Sequence, residues 1–130
     1  MMMRLLWIVF GLLGAGAVAL GAYGSHGAAF ADAYARDLFD TALRFHFLHL
    51  APLALAALTG SLAPQVAGRA MLAALALVAG MVLFSGTLYL RSLGLAEVAP
   101  DLPLPPAGGF ALMAGWLLLA WAGLGSLTRR

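Results

Sequence analysis

The chain has 130 residues, of which 64% are hydrophobic and 9% are charged, with a formal net charge of +2. A soluble domain carries roughly 25% charged residues, so this composition excludes an ordinary soluble fold. The sequence contains no cysteine, which excludes disulfides, thiolate metal ligands and thiol catalysis. The small positive excess is not gathered into a basic run, so we expect no nucleic-acid partner.

Four stretches of the sequence lack Asp, Glu, Lys and Arg and are long enough, or nearly so, to cross a bilayer. A helix of about 20 apolar residues spans a hydrocarbon core of about 30 Å. The sequence therefore predicts an all-α integral membrane protein, a single domain over 1–130 that forms a bundle of four transmembrane helices. The predicted spans lie at about 5–23, 45–60, 70–90 and 107–127, with an outer amphipathic pre-segment at about 32–44.

The N-terminus has two interpretations. Arg4 followed by a short apolar region is typical of a secretory signal peptide. The apolar run continues without a break through Ala22, which favours a retained first transmembrane helix.

The charges are divided unequally between the two sides of the predicted bundle. Both termini and the 60–69 connection share one side, with four of the seven arginines and no acidic residue. The other side carries three arginines and all five acidic residues. Because basic residues concentrate in cytoplasmic loops, we expect a protein of the cytoplasmic (inner) membrane with both termini in the cytoplasm.

Small residues are expected where transmembrane helices pack closely. Gly11, Ala15 and Ala19 recur at every fourth position of helix 1 and share one face, which allows two backbones to approach. Packing inside one bundle is the simpler interpretation, and a seam between two copies is the alternative. The other glycines expected at helix contacts are Gly80, Gly86, Gly108 and Gly109.

Helix 2 is predicted to begin outside the bilayer. Asp32 is a good N-cap residue, and Asp32/Arg36 and Asp40/Arg44 are spaced for i,i+4 ion pairs. Pro52 has no N–H for the helical ladder and crowds the preceding turn, which predicts a kink about one turn earlier.

The few polar residues of the spans collect in one leaflet. Unpaired polar groups are costly in lipid, so their convergence marks a candidate site. Three interpretations stay open: a structural hydrogen-bonded cluster, a pocket for a small or quinone-type ligand, and a metal or haem site. Two histidines three residues apart, without a carboxylate in the same span, are weak evidence for a metal site. No metal and no cofactor is therefore predicted. The candidate residues are His26, His46, His49, Ser85, Thr87 and Tyr89.

Two histidines of helix 2 lie at the same predicted depth as the polar residues of helix 3. Because a buried polar group needs a partner where water is scarce, we expect His46 or His49 to hydrogen-bond to Ser85 or Tyr89. Such a bond would fix the register of helix 2 against helix 3.

Several catalytic patterns are missing from the sequence. No Asp or Glu lies within a span, which argues against carboxylate-coupled proton antiport. No Ser/His/Asp or metalloprotease pattern occurs, and Gly14 and Gly16 lie inside a span, where they cannot form a phosphate loop. The sequence therefore predicts no catalytic residue and no enzymatic activity.

Four short motifs carry a resemblance to a known family. They are GAYGSHG at 21–27, FHFLH at 45–49, LFSGTLY at 83–89 and PAGG at 106–109. This order resembles the small membrane proteins grouped as domain of unknown function 423, with the eukaryotic transmembrane protein 256 group among them. The resemblance covers about residues 10–122, with departures at Ser25, Phe45 and Ala107. It implies a four-helix inner-membrane protein, and it implies no reaction, substrate or cofactor.

Two functions of different classes are compatible with these features. The favoured one is a non-enzymatic accessory or assembly bundle, which associates in the lipid bilayer with a larger membrane complex or with copies of itself. The alternative is binding or transport of a small lipophilic or polar solute through an outer-leaflet pocket. The alternative requires a cavity of a few hundred Å³ or more, lined by the His, Ser and Tyr side chains.

Overall fold

A computed structural model describes residues 2–95 and 103–127. The helices are Met2–His26 (α1), Ala33–Leu62 (α2), Ala67–Met81 (α3), Thr87–Ser92 (α4) and Leu104–Leu127 (α5). A 3-10 turn at Pro64–Val66 leads into α3, and a π-helical turn at Val82–Gly86, here called the π segment, joins α3 to α4.

The predicted four-helix architecture is confirmed for the described residues. Four helical stretches are long and apolar enough to cross a membrane, and the third combines the 3-10 turn, α3, the π segment and α4. We call the end of the bundle where α1 and α4 finish and α2 and α5 begin the distal end. The opposite end, which holds Met3 and Leu127, is the terminal end. Residues 96–102 of the predicted outer connection, including Glu97 and Asp101, lie outside the described residues.

The start of α2 follows from one side chain. Asp32 adopts an extended backbone, and its carboxylate accepts a hydrogen bond of 2.7 Å from the Ala35 N–H. The predicted N-cap is therefore confirmed, and the pre-segment is the first part of one continuous helix. Pro52 lies inside this helix without ending it.

The predicted ion pairs of the pre-segment are wrong. The pair within the described residues joins Arg36 Nε to Asp40 Oδ2 at 3.9 Å, and both side chains are more than half exposed. The Asp32 carboxylate accepts from the backbone at the start of its own helix, so Arg36 pairs instead with Asp40, one turn further along. Such an exposed pair contributes little to stability.

Removal of the cap is expected to destabilise α2. In Asp32→Ala, the Ala35 N–H loses its acceptor, which costs about 1 kcal/mol of unfolding free energy. The measurement is the melting temperature in mild detergent, with Asp37→Ala as the control because Asp37 is an exposed acid without a capping role. Equal melting temperatures of the two variants would show that the cap contributes nothing.

The tightest helix contact lies between the third span and α5. A Cβ added at Gly108 would lie 2.5 Å from the Phe84 backbone nitrogen, and one at Gly80 would lie 2.8 Å from the Leu112 backbone nitrogen. At Gly115, which was not predicted as a contact, an added Cβ would meet the Leu77 side chain at 2.7 Å. Glycine is required at Gly108 and Gly80 because the backbones approach too closely there for any side chain.

Other predicted packing positions are not contacts of this kind. A Cβ at Gly11, Gly86 or Gly109 would meet nothing within 4 Å. The predicted close packing of these three glycines within the bundle is therefore wrong, because helix rotation turns them away from their neighbours.

Helix α1 packs loosely on the rest of the bundle. Ala15 and Ala19 are exposed together with Gly11, so the predicted small-residue strip faces outward. The side chains that α1 buries are instead Leu6 and Ala17. The interpretation of the strip as packing inside one bundle is wrong for the described residues.

Two apolar clusters fill the interior. The larger contains Leu53, Leu77 and Leu112 and joins α2, α3 and α5. The second lies towards the distal end, where Phe39 and Ala42 of α2 pack against Leu88 and Tyr89 of α4. The π segment lies between the two clusters along the third span, and the polar residues are found at this junction.

Candidate functional site

A cavity of about 200 Å³ lies among α1, α2 and the π segment. It is partly open, and one of its lining residues, Val82, is 59% exposed. The lining residues are Leu13, Leu20, His46, Met81, Val82, Ser85, Gly86 and Tyr89. Three of the six polar residues predicted from the sequence therefore share one cavity.

His46 joins α2 to the third span within this lining. Its Nδ1 lies 3.4 Å from the Tyr89 hydroxyl oxygen, and the two rings meet edge to face at 6.2 Å between centroids. The predicted hydrogen bond from a helix 2 histidine to Tyr89 is therefore present, at the long end of the accepted range. Bonds of this kind between transmembrane helices contribute about 0.6 kcal/mol on average, so this one orients side chains more than it stabilises the fold.

Two polar atoms of the lining residues have no hydrogen-bond partner in the described chain. They are His46 Nε2 and Ser85 Oγ, on side chains that are 7% and 2% exposed. The Leu13 backbone of α1 interacts with the His46 ring but does not complete a hydrogen bond at Nε2. The cavity surface that water can reach is apolar, and both atoms lie beneath it. A buried polar group without a partner costs about 1–3 kcal/mol, which makes two beside one cavity the most unusual feature of the interior.

The π segment explains why Ser85 lacks a partner. The other four serines of the chain, Ser25, Ser61, Ser92 and Ser126, each donate to a carbonyl three or four residues earlier in their own helix. Ser85 lies within the widened turn and has no such bond. Single π turns recur at functional sites, where they change the direction of side chains and backbone groups. The turn thus leaves the Ser85 hydroxyl available beside the cavity.

The remaining predicted cluster residues have other surroundings. His49 Nδ1 lies 2.7 Å from the Phe45 carbonyl, and its ring stacks on Phe45 and meets Trp116 of α5 edge-on. His26 is exposed at the end of α1, and Thr87 is buried but lies outside the cavity lining. His49 is therefore a packing residue between α2 and α5, and a single cluster of all six residues is wrong.

Part of the site was not predicted. Leu13, Leu20, Met81 and Val82 supply its apolar lining, and Gly86 lines it rather than packing against a neighbouring helix. The LFSGTLY motif at 83–89 could have indicated Gly86, which follows Ser85 within it, whereas the four apolar lining residues lie outside the motif. The π turn itself has no sequence signature.

The lining determines which chemistry is available. Within residues 2–95 and 103–127, no three His, Cys, Asp or Glu side chains come together around a possible metal position. The cavity lining contains one imidazole, one aliphatic hydroxyl and one phenol, and no carboxylate, arginine or lysine. Such a site can bind a molecule through hydrogen bonds and apolar contact.

The fold and this site define a small four-helix membrane protein with a partly open, apolar cavity beside His46 and Ser85. The family model described as "Protein of unknown function (DUF423)" matches residues 20–109, so the chain belongs to this family. It is 36% identical to UPF0382 membrane protein C1782.12c of Schizosaccharomyces pombe, a match that covers 85% of this chain and 94% of that protein. It is also 31% identical to UPF0382 membrane protein YwdK of Bacillus subtilis, which covers 82% of this chain and 85% of that protein. No solved structure matches the chain.

Proposed function

We propose that this protein binds a small amphipathic molecule inside the membrane, in the cavity among α1, α2 and the π segment. The observation that carries the proposal is the pair of orphaned polar atoms, His46 Nε2 and Ser85 Oγ, on two helices beside one cavity. A hydrogen-bonding occupant offsets the cost of burying both atoms. The apolar surface beside them accepts the rest of such a molecule. The proposed role is binding without chemical conversion.

The access route supports an occupant that comes from the lipid. The cavity is partly open, its lining residue Val82 is exposed on the third span, and α1, another wall, has the smallest buried share of the four spans. A molecule dissolved in the bilayer reaches this opening without crossing the polar ends of the bundle. A small outward movement of α1 widens the same opening.

The Ser85→Ala variant is expected to be more stable than the wild type when no ligand is present. It removes a buried hydroxyl without a partner, which raises the unfolding free energy by about 1 kcal/mol. Ser61→Ala is the control, because Ser61 donates to Ala57 and gains the same helix propensity from alanine. The measurement is the difference in melting temperature between the two variants in detergent. A lower melting temperature for Ser85→Ala than for Ser61→Ala would show that Ser85 has a partner in the folded protein.

The binding proposal is tested by native mass spectrometry of protein extracted from its own membrane in mild detergent. We expect a small molecule to remain bound to the wild type and to be less abundant on His46→Phe. This variant removes Nε2 and keeps an aromatic ring. His26→Phe is the control, because His26 is exposed and is not among the lining residues of the cavity. The proposal would be overturned if neither the wild type nor either variant carried a specific adduct.

For orientation, we propose that both termini lie in the cytoplasm of a cell whose inner membrane holds the protein. The support is the arginine count in the sequence: four arginines (Arg4, Arg69, Arg129 and Arg130) belong to the side of the termini, and three (Arg36, Arg44 and Arg91) belong to the other side. The absence of cysteine allows single-cysteine labelling without a prior substitution. A membrane-impermeant maleimide added to whole cells should label Tyr34→Cys and leave Gln65→Cys unlabelled until the cells are opened. The reverse pattern would invert the topology.

Assembly with another membrane protein or with a second copy is the second candidate function. It is favoured by the outward direction of Gly11, Ala15 and Ala19 on a helix that buries few of its side chains. The test is cross-linking in native membranes, comparing wild type with Ala15→Leu, which fills the strip with a bulky side chain. A cross-linked product that is unaffected by Ala15→Leu would show that this face is not the contact.

A further inference from the structure

The hydrogen-bond pattern around His46 indicates which atom of the ring carries the proton. A phenol has one proton to donate, and the Tyr89 hydroxyl lies next to Nδ1. In the tautomer in which Nδ1 accepts from Tyr89, the hydrogen of the neutral ring is on Nε2. Nε2 is then a donor that completes no hydrogen bond within the described residues.

The Ser85 hydroxyl is a second unused donor. Helical serines normally donate to a carbonyl of the preceding turn, as the other serines of this chain do, and Ser85 lacks that acceptor. Two donors from two different helices therefore lie beside the same cavity without an acceptor between them. The complementary group on an occupant is an oxygen with two lone pairs, which is the capacity of a carbonyl oxygen.

The absence of charged side chains from the lining restricts the class of ligand further. The lining holds no carboxylate and no arginine or lysine, and the rest of its surface is aliphatic or glycine. A carboxylate, phosphate or ammonium head would enter this region without a counter-ion, which is strongly unfavourable in a medium of low polarity. A neutral head meets no such cost.

We infer that the occupant of the cavity is a neutral, lipid-soluble molecule with a carbonyl head, whose oxygen accepts from His46 Nε2 and Ser85 Oγ while its apolar tail leaves beside Val82. Ketones, quinones and long-chain esters have this chemistry. This inference rests on the proposed binding function and specifies its ligand class. These contacts require side-chain rotations at His46 and Ser85, because both donors lie beneath the apolar surface of the cavity.

The test uses four probes with matched twelve-carbon chains and purified protein in phosphatidylcholine nanodiscs. The probes are 2-dodecanone, dodecane, dodecanoate and dodecylammonium, which compare a neutral carbonyl with no head, an anion and a cation. Binding is followed by the melting temperature and by the infrared carbonyl stretch of 2-dodecanone labelled with carbon-13. We expect 2-dodecanone to bind at least about tenfold more tightly than the other three, with its carbonyl stretch shifted to lower wavenumber by hydrogen bonding.

Two variants identify the donors. Ser85→Ala and His46→Phe should each weaken 2-dodecanone binding about tenfold and reduce the shift of the carbonyl stretch. Ser61→Ala should leave both unchanged, because Ser61 lies away from the lining and donates to Ala57. Since Ser85→Ala is expected to fold at least as stably as the wild type, a loss of binding in that variant cannot be attributed to unfolding.

The possible results separate this inference from the binding function. If dodecanoate or dodecylammonium binds as tightly as 2-dodecanone, the ligand class is wrong and the binding function stands. If 2-dodecanone binds but its carbonyl stretch is the same in wild type and Ser85→Ala, the proposed donors are wrong. If no probe binds and the protein from its own membrane carries no adduct, both the inference and the binding function are overturned.

Discussion

The Gly108→Ala variant is expected to lose about 3 kcal/mol of unfolding free energy, which corresponds to a melting temperature lower by about 10 °C. The new Cβ would lie 2.5 Å from the Phe84 backbone nitrogen and 2.9 Å from the Leu83 carbonyl carbon. Neither atom is the end of a flexible side chain, so α5 must move away from the third span as a whole. This movement also opens the contacts at Gly80 and Gly115 along the same interface.

The neighbouring glycine provides the control. A Cβ at Gly109 meets nothing within 4 Å, and alanine is a better helix former than glycine by about 1 kcal/mol. Gly109→Ala should therefore be as stable as the wild type or slightly more stable. The measurement is thermal unfolding in detergent followed by size-exclusion chromatography, so that aggregation is detected separately. Similar losses in both variants would show that the close backbone approach at Gly108 is not what holds α5.

The second large effect is expected for Phe39→Ala. The Phe39 side chain is fully buried, and its ring lies 5.1 Å from that of Tyr89 and 5.2 Å from that of Phe30. Truncation leaves a cavity in the distal cluster and costs about 3 kcal/mol, since neighbouring rings close such a space only partly. Because Phe39 supports Tyr89, the variant should also weaken binding of a carbonyl probe at His46.

Phe47→Ala is the control for this truncation. Phe47 lies on the same helix and is 44% exposed on the outer surface of the bundle, so its loss removes side-chain volume without creating an internal cavity. Its unfolding free energy should change by less than about 1 kcal/mol. The two variants are compared by melting temperature in the same detergent. A smaller loss for Phe39→Ala than for Phe47→Ala would contradict the assignment of Phe39 to the core.

The fold was predictable because the bilayer imposes a simple rule on sequence. Uninterrupted apolar stretches of sufficient length have to be helices in lipid, and the four spans were predicted from this property. Asp32 was predicted as a helix start from the ordinary chemistry of N-caps. The third span was predicted as a regular helix. Its π turn at 82–86 was not predicted, because tertiary packing rather than residue type determines where a helix widens.

The site was only partly predictable for a related reason. Depth can be estimated from position along a span, so His46, Ser85 and Tyr89 were correctly placed at one level. Depth does not determine the direction of a side chain around the helix. His49, three residues from His46, points to Trp116 instead of the third span, and Gly11 points away from the bundle. Rotation of α1 and α2 about their axes depends on the shapes of all four helices together.

The length of α2 relates the protein to the thickness of its membrane. Its 30 residues extend about 45 Å, whereas a hydrocarbon core measures about 30 Å. Arg44 and the acids before it hold the first turns in the headgroup region, which leaves residues 45–62, about 27 Å of helix, to cross the hydrocarbon. If the hydrocarbon core is thicker than this apolar length, either the charged turns are drawn towards the core or the bilayer becomes thinner around the helix. If the core is about as thin as the apolar length, neither adjustment is needed. The cavity lining includes His46, two residues beyond Arg44, so hydrophobic mismatch acts on the helix that forms one of the cavity walls.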